Sequence, residues 1–115
     1  MKKEVFDLAV SFNQYLENVA KGSVQIAEHL RKDELQEAMQ LIFYFSEGMT
    51  WLIQASELLK QNKVEVDFEH EKINEFLNEI NNGLEIQDYV IVADMFEYEI
   101  APYFEEIKRI EGFDH

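Results

Sequence analysis

Residues 34–61 read ELQEAMQLIFYFSEGMTWLIQASELLKQ, and their hydrophobic pattern is the main evidence for the fold class. Its apolar and small side chains return every three or four residues, which is the period of a helix with one buried side. The positions on this seam are Leu35, Met39, Ile42, Ser46, Met49, Leu52, Ser56 and Leu59. At 1.5 Å per residue, the stretch predicts a helix about 40 Å long.

The same helix carries a second apolar stripe beside the seam. Its members are Leu41, Tyr44, Gly48, Trp51, Ala55 and Leu58. Each helix of a four-helix bundle needs only one broad apolar stripe, so a helix that is hydrophobic on two sides is expected to be buried on two sides. We therefore predict that these six residues bind a protein partner or a second copy in a homodimer. The alternative is a wide core that absorbs both stripes and leaves Trp51 at its edge.

The preceding residues predict another long helix, over residues 3–31. Its seam runs through Val5, Leu8, Phe12, Leu16, Val19, Ser23, Ile26 and Leu30. The phase continues through Gly22, which favours one helix over two short helices broken there. Asp33 is expected to cap the second helix, with Gln36 at the capping-box position.

Two further helices are expected after a loop over residues 62–67. Asp67 is predicted to cap the third, whose apolar positions are Ile73, Phe76 or Leu77, Ile80 and Leu84. Asp88 is predicted to cap the fourth, whose stripe is Tyr89, Val92, Phe96, Ile100, Tyr103, Ile107 and Ile110. Pro102 lies within that stripe and predicts a kink, because proline has no amide hydrogen to donate to the helix.

The fold class is therefore all-α. We predict one domain over residues 1–115, an antiparallel up-down-up-down four-helix bundle whose first two helices are longer than its last two.

The chain is strongly acidic, and its negative charge is unevenly distributed along the sequence. The 115 residues include 10 basic and 24 acidic side chains, a net charge of −14. Residues 1–66 carry 10 acids and 7 bases, whereas residues 67–115 carry 14 acids and 3 bases, or −11 of that total. The expected acidic face includes Glu75, Glu79, Asp94, Glu97, Glu99, Glu105 and Glu106. Such a face could steer a basic partner, or it could serve only solubility.

Composition also excludes several classes of protein. The charge opposes nucleic acid and anionic membranes, since binding phosphates requires clustered lysine and arginine. No apolar run is long enough to span a bilayer, so no membrane association is expected. The chain has no cysteine, which excludes disulfides and thiolate metal sites and fits the cytoplasm.

Few features of the sequence indicate catalysis or metal binding. No histidine is phased to meet Ser23, Ser46 or Ser56 on the inner stripes, and buried hydroxyls of this kind usually bond to the backbone one turn earlier. Acidic residues lie beside the seams rather than on them, so they do not form a di-iron pattern. We predict no enzyme activity, no catalytic residue, no cofactor and no metal ligand. The alternative is a bundle that binds a small molecule or metal in a core pocket, for which aromatic residues could form the lining; they are Phe43, Phe45, Phe68, Phe76, Phe96, Tyr98, Tyr103 and Phe104.

Two segments resemble those of small, uncharacterised helical proteins of Firmicute bacteria: residues 47–59, EGMTWLIQASELL, and residues 87–102, QDYVIVADMFEYEIAP. No catalytic residue is assigned in that family, so the resemblance implies no functional site in this chain. Residues 47–55 also resemble part of the second helix of flagellin export chaperones, whose N-terminal segment is not recognisable here.

The predicted function is a non-enzymatic protein-interaction module that self-associates or binds a partner helix. One version is a chaperone that covers an amphipathic helix of an export substrate. In this hypothesis the second helix supplies apolar contacts and the last two supply negative charge.

Overall fold

A computed structural model describes residues 2–112, and every regular element within them is helical. The elements are α1 (Lys3–Arg31), α2 (Leu35–Gln61), α3 (His70–Glu85), α4 (Tyr89–Met95), a π-helical turn (Phe96–Ile100) and α5 (Ala101–Glu106). The last three follow one another without a break and form a single fourth helical segment. The predicted all-α class with four helices is confirmed, and so are the long first and second helices, of 29 and 27 residues.

Helix α1 lies at the centre of the packing. It contacts α2, α4, the π-helical turn and α5, whereas α3 packs mainly on α4. At the end of α1, Arg31 pairs with Asp94 near the start of the fourth segment. Asn13, in the first half of α1, bonds to Ile110 beyond the end of that segment, so the two run antiparallel. The predicted single helix through Gly22 is confirmed.

Much of the core is built from the predicted seams, although Phe45, Gly48, Ala55 and Phe104 are buried outside them. Fully buried side chains come from every helical segment, and the largest include Phe12, Leu16, Met49, Leu52, Leu59, Ile73, Ile80, Phe96 and Phe104. Aromatic rings interlock there: the ring of Phe68 lies 5.9 Å from that of Phe12, edge to face. Edge-to-face pairs at this distance add to the stability that burial alone provides.

Two of the three predicted N-caps are wrong. Helices α2 and α3 begin after Glu34 and Glu69, and neither residue caps its helix through a side chain. Asp33 instead ends α1 in the left-handed conformation, with φ of 58°. Its amide donates to Leu30, and the next amide donates to the carbonyl of His29, which is the Schellman arrangement. The cap at Asp88 is confirmed, because its Oδ1 accepts from the amide of Ile91 at 3.1 Å.

The same ending closes α2 at Lys63 and α3 at Gln87, with φ of 64° and 58°. A non-glycine residue in this conformation costs about 1 kcal/mol. We therefore expect Lys63→Gly and Gln87→Gly each to raise the free energy of unfolding by about that amount, measured by urea denaturation. The matched control is Gln54→Gly on the exposed side of α2, which should lower stability by about 1 kcal/mol because its conformation is helical. A loss of stability in both test variants would contradict the Schellman assignment.

The predicted stripe of the fourth helix fails after Ile100. In the π-helical turn the amide of Ala101 donates to the carbonyl of Phe96, five residues back, so the turn contains an extra residue. The helical face therefore rotates, and Phe104 is fully buried while Tyr103 is only half-buried. The helix ends at Glu106 rather than continuing through Ile107 and Ile110.

Candidate functional site

Three residues of α1 and three of α2 form one face of the helical hairpin. Leu8, Tyr15 and Gly22 are spaced by seven along α1, and Tyr44, Trp51 and Leu58 are spaced by seven along α2. Residues seven apart lie on one line of a helix, about 10 Å from each other. We call these six residues the α1–α2 face.

The two lines of the face run antiparallel, so their residues lie side by side in three pairs, which we call rungs. The pairs are Leu8 with Leu58, Tyr15 with Trp51, and Gly22 with Tyr44. Leu8 and Leu58 border one groove at one end, and Gly22 and Tyr44 border another at the opposite end. Between them the rings of Tyr15 and Trp51 lie 5.4 Å apart, edge to face. The face therefore extends over about 21 Å along the hairpin.

The large side chains on the α2 side of this face remain in contact with water. Trp51 is 36% exposed, Leu58 50% and Tyr44 53%. Exposed apolar side chains scattered singly are ordinary, but a contiguous group that includes a tryptophan is typical of an interaction surface.

The other predicted partner-binding residues lie closer to the chain's own core. Gly48 and Ala55 are buried, and Leu41 is half-buried against the core. A Cβ atom at Gly48 would fall on the hydroxyl of Tyr15 and lie 2.7 Å from its Cζ. The helix that approaches Gly48 closely is therefore α1 of the same chain, and only Tyr44, Trp51 and Leu58 of the predicted six are exposed.

Sequence analysis missed the α1 half of the face. The predicted seam of α1 places Leu8 in the core and does not include Tyr15 or Gly22. The signal was available, because Leu8, Tyr15 and Gly22 repeat with the same spacing of seven as Tyr44, Trp51 and Leu58.

Gly22 lies in a shallow apolar groove between α1 and α2, of about 150 Å³, bordered by Val19, Ile26, Leu41 and Tyr44. A Cβ atom at Gly22 would meet no other atom within 4 Å. Packing within this chain therefore does not require a glycine, although one in a helix interior costs about 1 kcal/mol relative to alanine.

The face carries no charge at neutral pH. Burial of the Tyr15 side chain, reinforced by the nearby negative charge of Glu47, raises the pKa of its phenol above the ordinary 10.0. Desolvating the face therefore removes no charged group from water, which favours apolar association.

A serine and a histidine do meet, contrary to the sequence prediction. Ser56 Oγ lies 3.0 Å from His70 Nε2, and His70 Nδ1 lies 3.8 Å from Glu57 Oε1. The Ser56 hydroxyl also donates to the carbonyl of Ile53 at 2.9 Å, and in that arrangement His70 Nε2 is the donor to Ser56 Oγ. Ser56 is also fully buried, and this contact joins α2 to the start of α3.

The other residues considered for catalysis or ligand binding are a second inner-stripe serine, the possible metal ligands and the aromatic side chains. Ser23 Oγ donates to the carbonyl of Val19 at 2.8 Å, as predicted for an inner-stripe hydroxyl. Among residues 2–112, no three histidine, aspartate or glutamate side chains are placed to hold one metal ion. Of the eight aromatic residues proposed to line a pocket, five are buried in the core: Phe45, Phe68, Phe76, Phe96 and Phe104. Tyr103 is half-buried, and Phe43 and Tyr98 are exposed.

The acidic side chains of the fourth segment are partly neutralised by the chain itself. Arg31 Nη2 lies 2.9 Å from Asp94 Oδ1 and 3.2 Å from Glu97 Oε1, and its guanidinium lies over the ring of Tyr98. The hydrogen bond that Arg31 donates to Asp94 is the main cause that raises the pKa of Arg31. The rest of the acidic surface carries a largely uncompensated charge.

No helix within residues 2–112 is both long and apolar enough to cross a membrane. No curated protein and no solved structure matches the chain. A family model described as a domain of unknown function, DUF8042, matches residues 7–110. This match spans both segments that resemble uncharacterised helical proteins, so that coarse resemblance is confirmed. The chain belongs to the DUF8042 family.

Proposed function

We propose that this chain is a non-enzymatic protein-interaction module that pairs with a second copy of itself through the α1–α2 face. The observation that supports it is the set of three apolar rungs, which repeat every seven residues on two antiparallel helices. That repeat is the seam on which helices of separate chains pack in coiled coils and bundles.

The composition of the face suits an interface. Tyrosine and tryptophan provide large contact areas with few rotatable bonds and are enriched among the residues that dominate binding energy. Tyr44 and Trp51 lie one heptad apart, and both lose water when another helical pair covers them. The open space over Gly22 then admits a side chain of the opposite copy, a close approach that a larger residue would prevent.

The charge distribution favours a second copy as the occupant. The half of the sequence that supplies the α1–α2 face carries a net −3, whereas residues 67–115 carry −11. Two copies that meet through α1 and α2 keep their most acidic helices apart, which limits the repulsion between chains of net charge −14. A two-fold axis lets each copy offer the same patch to the other.

We also propose a helix arrangement, a kink and a cellular compartment for this protein. The four helical segments form an up-down-up-down bundle with a kink near Pro102, and the module acts in the cytoplasm, which its lack of cysteine supports. In the chaperone-like version, an amphipathic helix of another protein takes the place of the second copy on the same face.

Sedimentation velocity over a dilution series tests the proposal. We expect the wild type to reach twice the mass of one chain, and Tyr44→Glu with Trp51→Glu to remain a monomer, because each copy would then bury uncompensated charges. Trp51 is the only tryptophan, so its emission should shift to longer wavelength as the wild type is diluted and the dimer dissociates.

The matched control is Ile86→Glu with Val90→Glu. These residues are 70% and 67% exposed and lie outside the α1–α2 face, so the control should keep the dimeric mass. A wild type that stays monomeric at every concentration would overturn the proposal, and so would a control that dissociates as readily as the test variant. Circular dichroism confirms that each variant is helical.

A further inference from the structure

A second apolar surface lies between the end of α3 and the fourth helical segment. Ile86, Ile91 and Met95 border a groove of about 400 Å³ there. Ile86 is 70% exposed and Ile91 48%, whereas Met95 is buried at the base of the groove. This α3–α4 groove shares no lining residue and no helix with the α1–α2 face.

Acidic side chains border the same groove from both walls. Glu79 projects from α3, and Asp94 and Glu99 from the fourth segment, while no lysine or arginine lines it. Asp94 is paired with Arg31, but Glu79 and Glu99 form no ion pair with any residue from 2 to 112. The groove thus combines an apolar base with unneutralised carboxylates on opposite sides.

The positions that line each wall follow a helical repeat. Glu79 and Ile86 lie seven residues apart on one wall, and Ile91, Met95 and Glu99 lie four apart on the other. Both walls therefore extend for about 10 Å, or two helical turns. That length matches an amphipathic helix that inserts apolar side chains from two successive turns.

We infer that the α3–α4 groove binds a basic amphipathic helix of a partner protein. Leucine-like side chains of that helix cover Ile86 and Ile91, and lysine or arginine side chains beside them pair with Glu79 and Glu99. The surrounding negative charge of residues 67–115 speeds the encounter. A second copy of this chain does not fit, because it brings a net charge of −14. The inference goes beyond the proposed self-association and does not depend on it.

The probe is a fluorescein-labelled helix made only of leucine and lysine, with leucine at the first and fourth places of each heptad. Fluorescence anisotropy should show that it binds the wild type more tightly than a scrambled peptide of the same composition, and that added salt weakens the binding. Tyr44→Glu with Trp51→Glu should bind the probe as the wild type does, which separates this groove from the α1–α2 face. If the scrambled peptide binds equally well, the inference is overturned.

Charge reversal locates the site. We expect Glu79→Lys with Glu99→Lys to weaken binding of the probe by about ten-fold or more. The control, Glu105→Lys with Glu106→Lys, changes the net charge equally on α5 and should have a much smaller effect. Equal losses in the two variants would show that net charge alone attracts the probe, and would overturn the inference.

An apolar substitution tests the apolar wall of the groove independently. Ile86→Ser should weaken binding several-fold with the helical content unchanged, since the side chain is mostly exposed in the free protein. Phe43→Ser removes an aromatic side chain that is 60% exposed on α2 and should leave binding unchanged. The opposite ranking of these two variants would also overturn the inference, even if the charge-reversed protein failed to fold.

Discussion

Replacing Asn13 with alanine is expected to lower the free energy of unfolding by about 3 kcal/mol, a large loss for one polar side chain in a chain of this size. Asn13 Nδ2 donates to the carbonyl of Ile110 at 3.0 Å, and its Oδ1 accepts from the amide of the same residue at 2.8 Å. These bonds join α1 to a residue 97 positions later in the sequence. Urea denaturation of wild type and variant measures the effect.

The expected size follows from the burial of all the groups involved. Asn13 is 8% exposed and Ile110 is 5% exposed, so their backbone and amide atoms have little access to water. Ile110 lies beyond the end of α5, where no helical partner satisfies its amide and carbonyl. Alanine would leave both without a partner, and each buried unsatisfied group costs about 1–3 kcal/mol.

Two variants separate the hydrogen bonds from other effects. Gln14→Ala changes an exposed amide next in sequence and should alter stability by less than about 0.5 kcal/mol. Asn13→Asp keeps the acceptor for the amide of Ile110 but places a carboxylate oxygen beside its carbonyl. The pKa of that buried aspartate is expected to rise above its unfolded value of about 3.9, so the protonated form is favoured in the folded protein.

The sign of the pH dependence follows from that raised pKa. The stability of Asn13→Asp relative to wild type should be greatest below the unfolded pKa, where the acid can donate to the carbonyl, and should fall as the pH rises through the folded pKa. A stability difference that did not change with pH would contradict this account. So would a small loss in Asn13→Ala with the amide of Ile110 still protected from hydrogen exchange.

Much of the helical architecture could be predicted because burial repeats along the sequence. The seam of α1 continues through Gly22, and its predicted bounds agree with the structure. The ends of the helices were harder to predict. An aspartate such as Asp33 can occupy either the N-cap of the following helix or the left-handed position that ends the preceding one. The π-helical turn before Pro102 leaves no periodic signal, because its extra residue shifts the pattern only after Ile100.

The candidate surfaces were only partly predictable. Tyr44, Trp51 and Leu58 stood out because α2 has more apolar residues than one core requires. Gly48 was a wrong candidate for an outside contact, because a glycine on an apolar stripe indicates a close approach without saying which helix approaches; here it is α1, through Tyr15. The α3–α4 groove depends on the relative positions of two segments, which spacing within either one does not specify.

The glycines provide a second test, in which the same substitution has opposite effects at two positions. We expect Gly83→Ala to lower the free energy of unfolding by about 2 kcal/mol and Gly22→Ala to raise it by about 1 kcal/mol. Both residues lie inside helices, so alanine improves helix propensity equally at each. The difference must therefore come from what the new methyl group touches.

At Gly83 the new methyl would meet α4. A Cβ atom there would lie 2.6 Å from Cγ2 of Val92, a fully buried, β-branched side chain that has little freedom to move aside. Relieving the overlap requires α3 and α4 to separate, which loses packing around the end of α3 and overcomes the gain in propensity. At Gly22 no atom lies within 4 Å, so only the propensity gain remains.

Val92→Ala provides the internal control, because it removes the methyl group with which Gly83→Ala collides. Alone it should destabilise by about 2 kcal/mol through the cavity it leaves. Combined with Gly83→Ala it should cost at least about 1 kcal/mol less than the sum of the two single losses, since the new methyl occupies that space. Strict additivity would show that the two residues do not limit the approach of α3 to α4. The wild type and all four variants are compared at one low concentration. Dimerisation through the α1–α2 face would otherwise add a concentration-dependent stability and conceal the gain at Gly22.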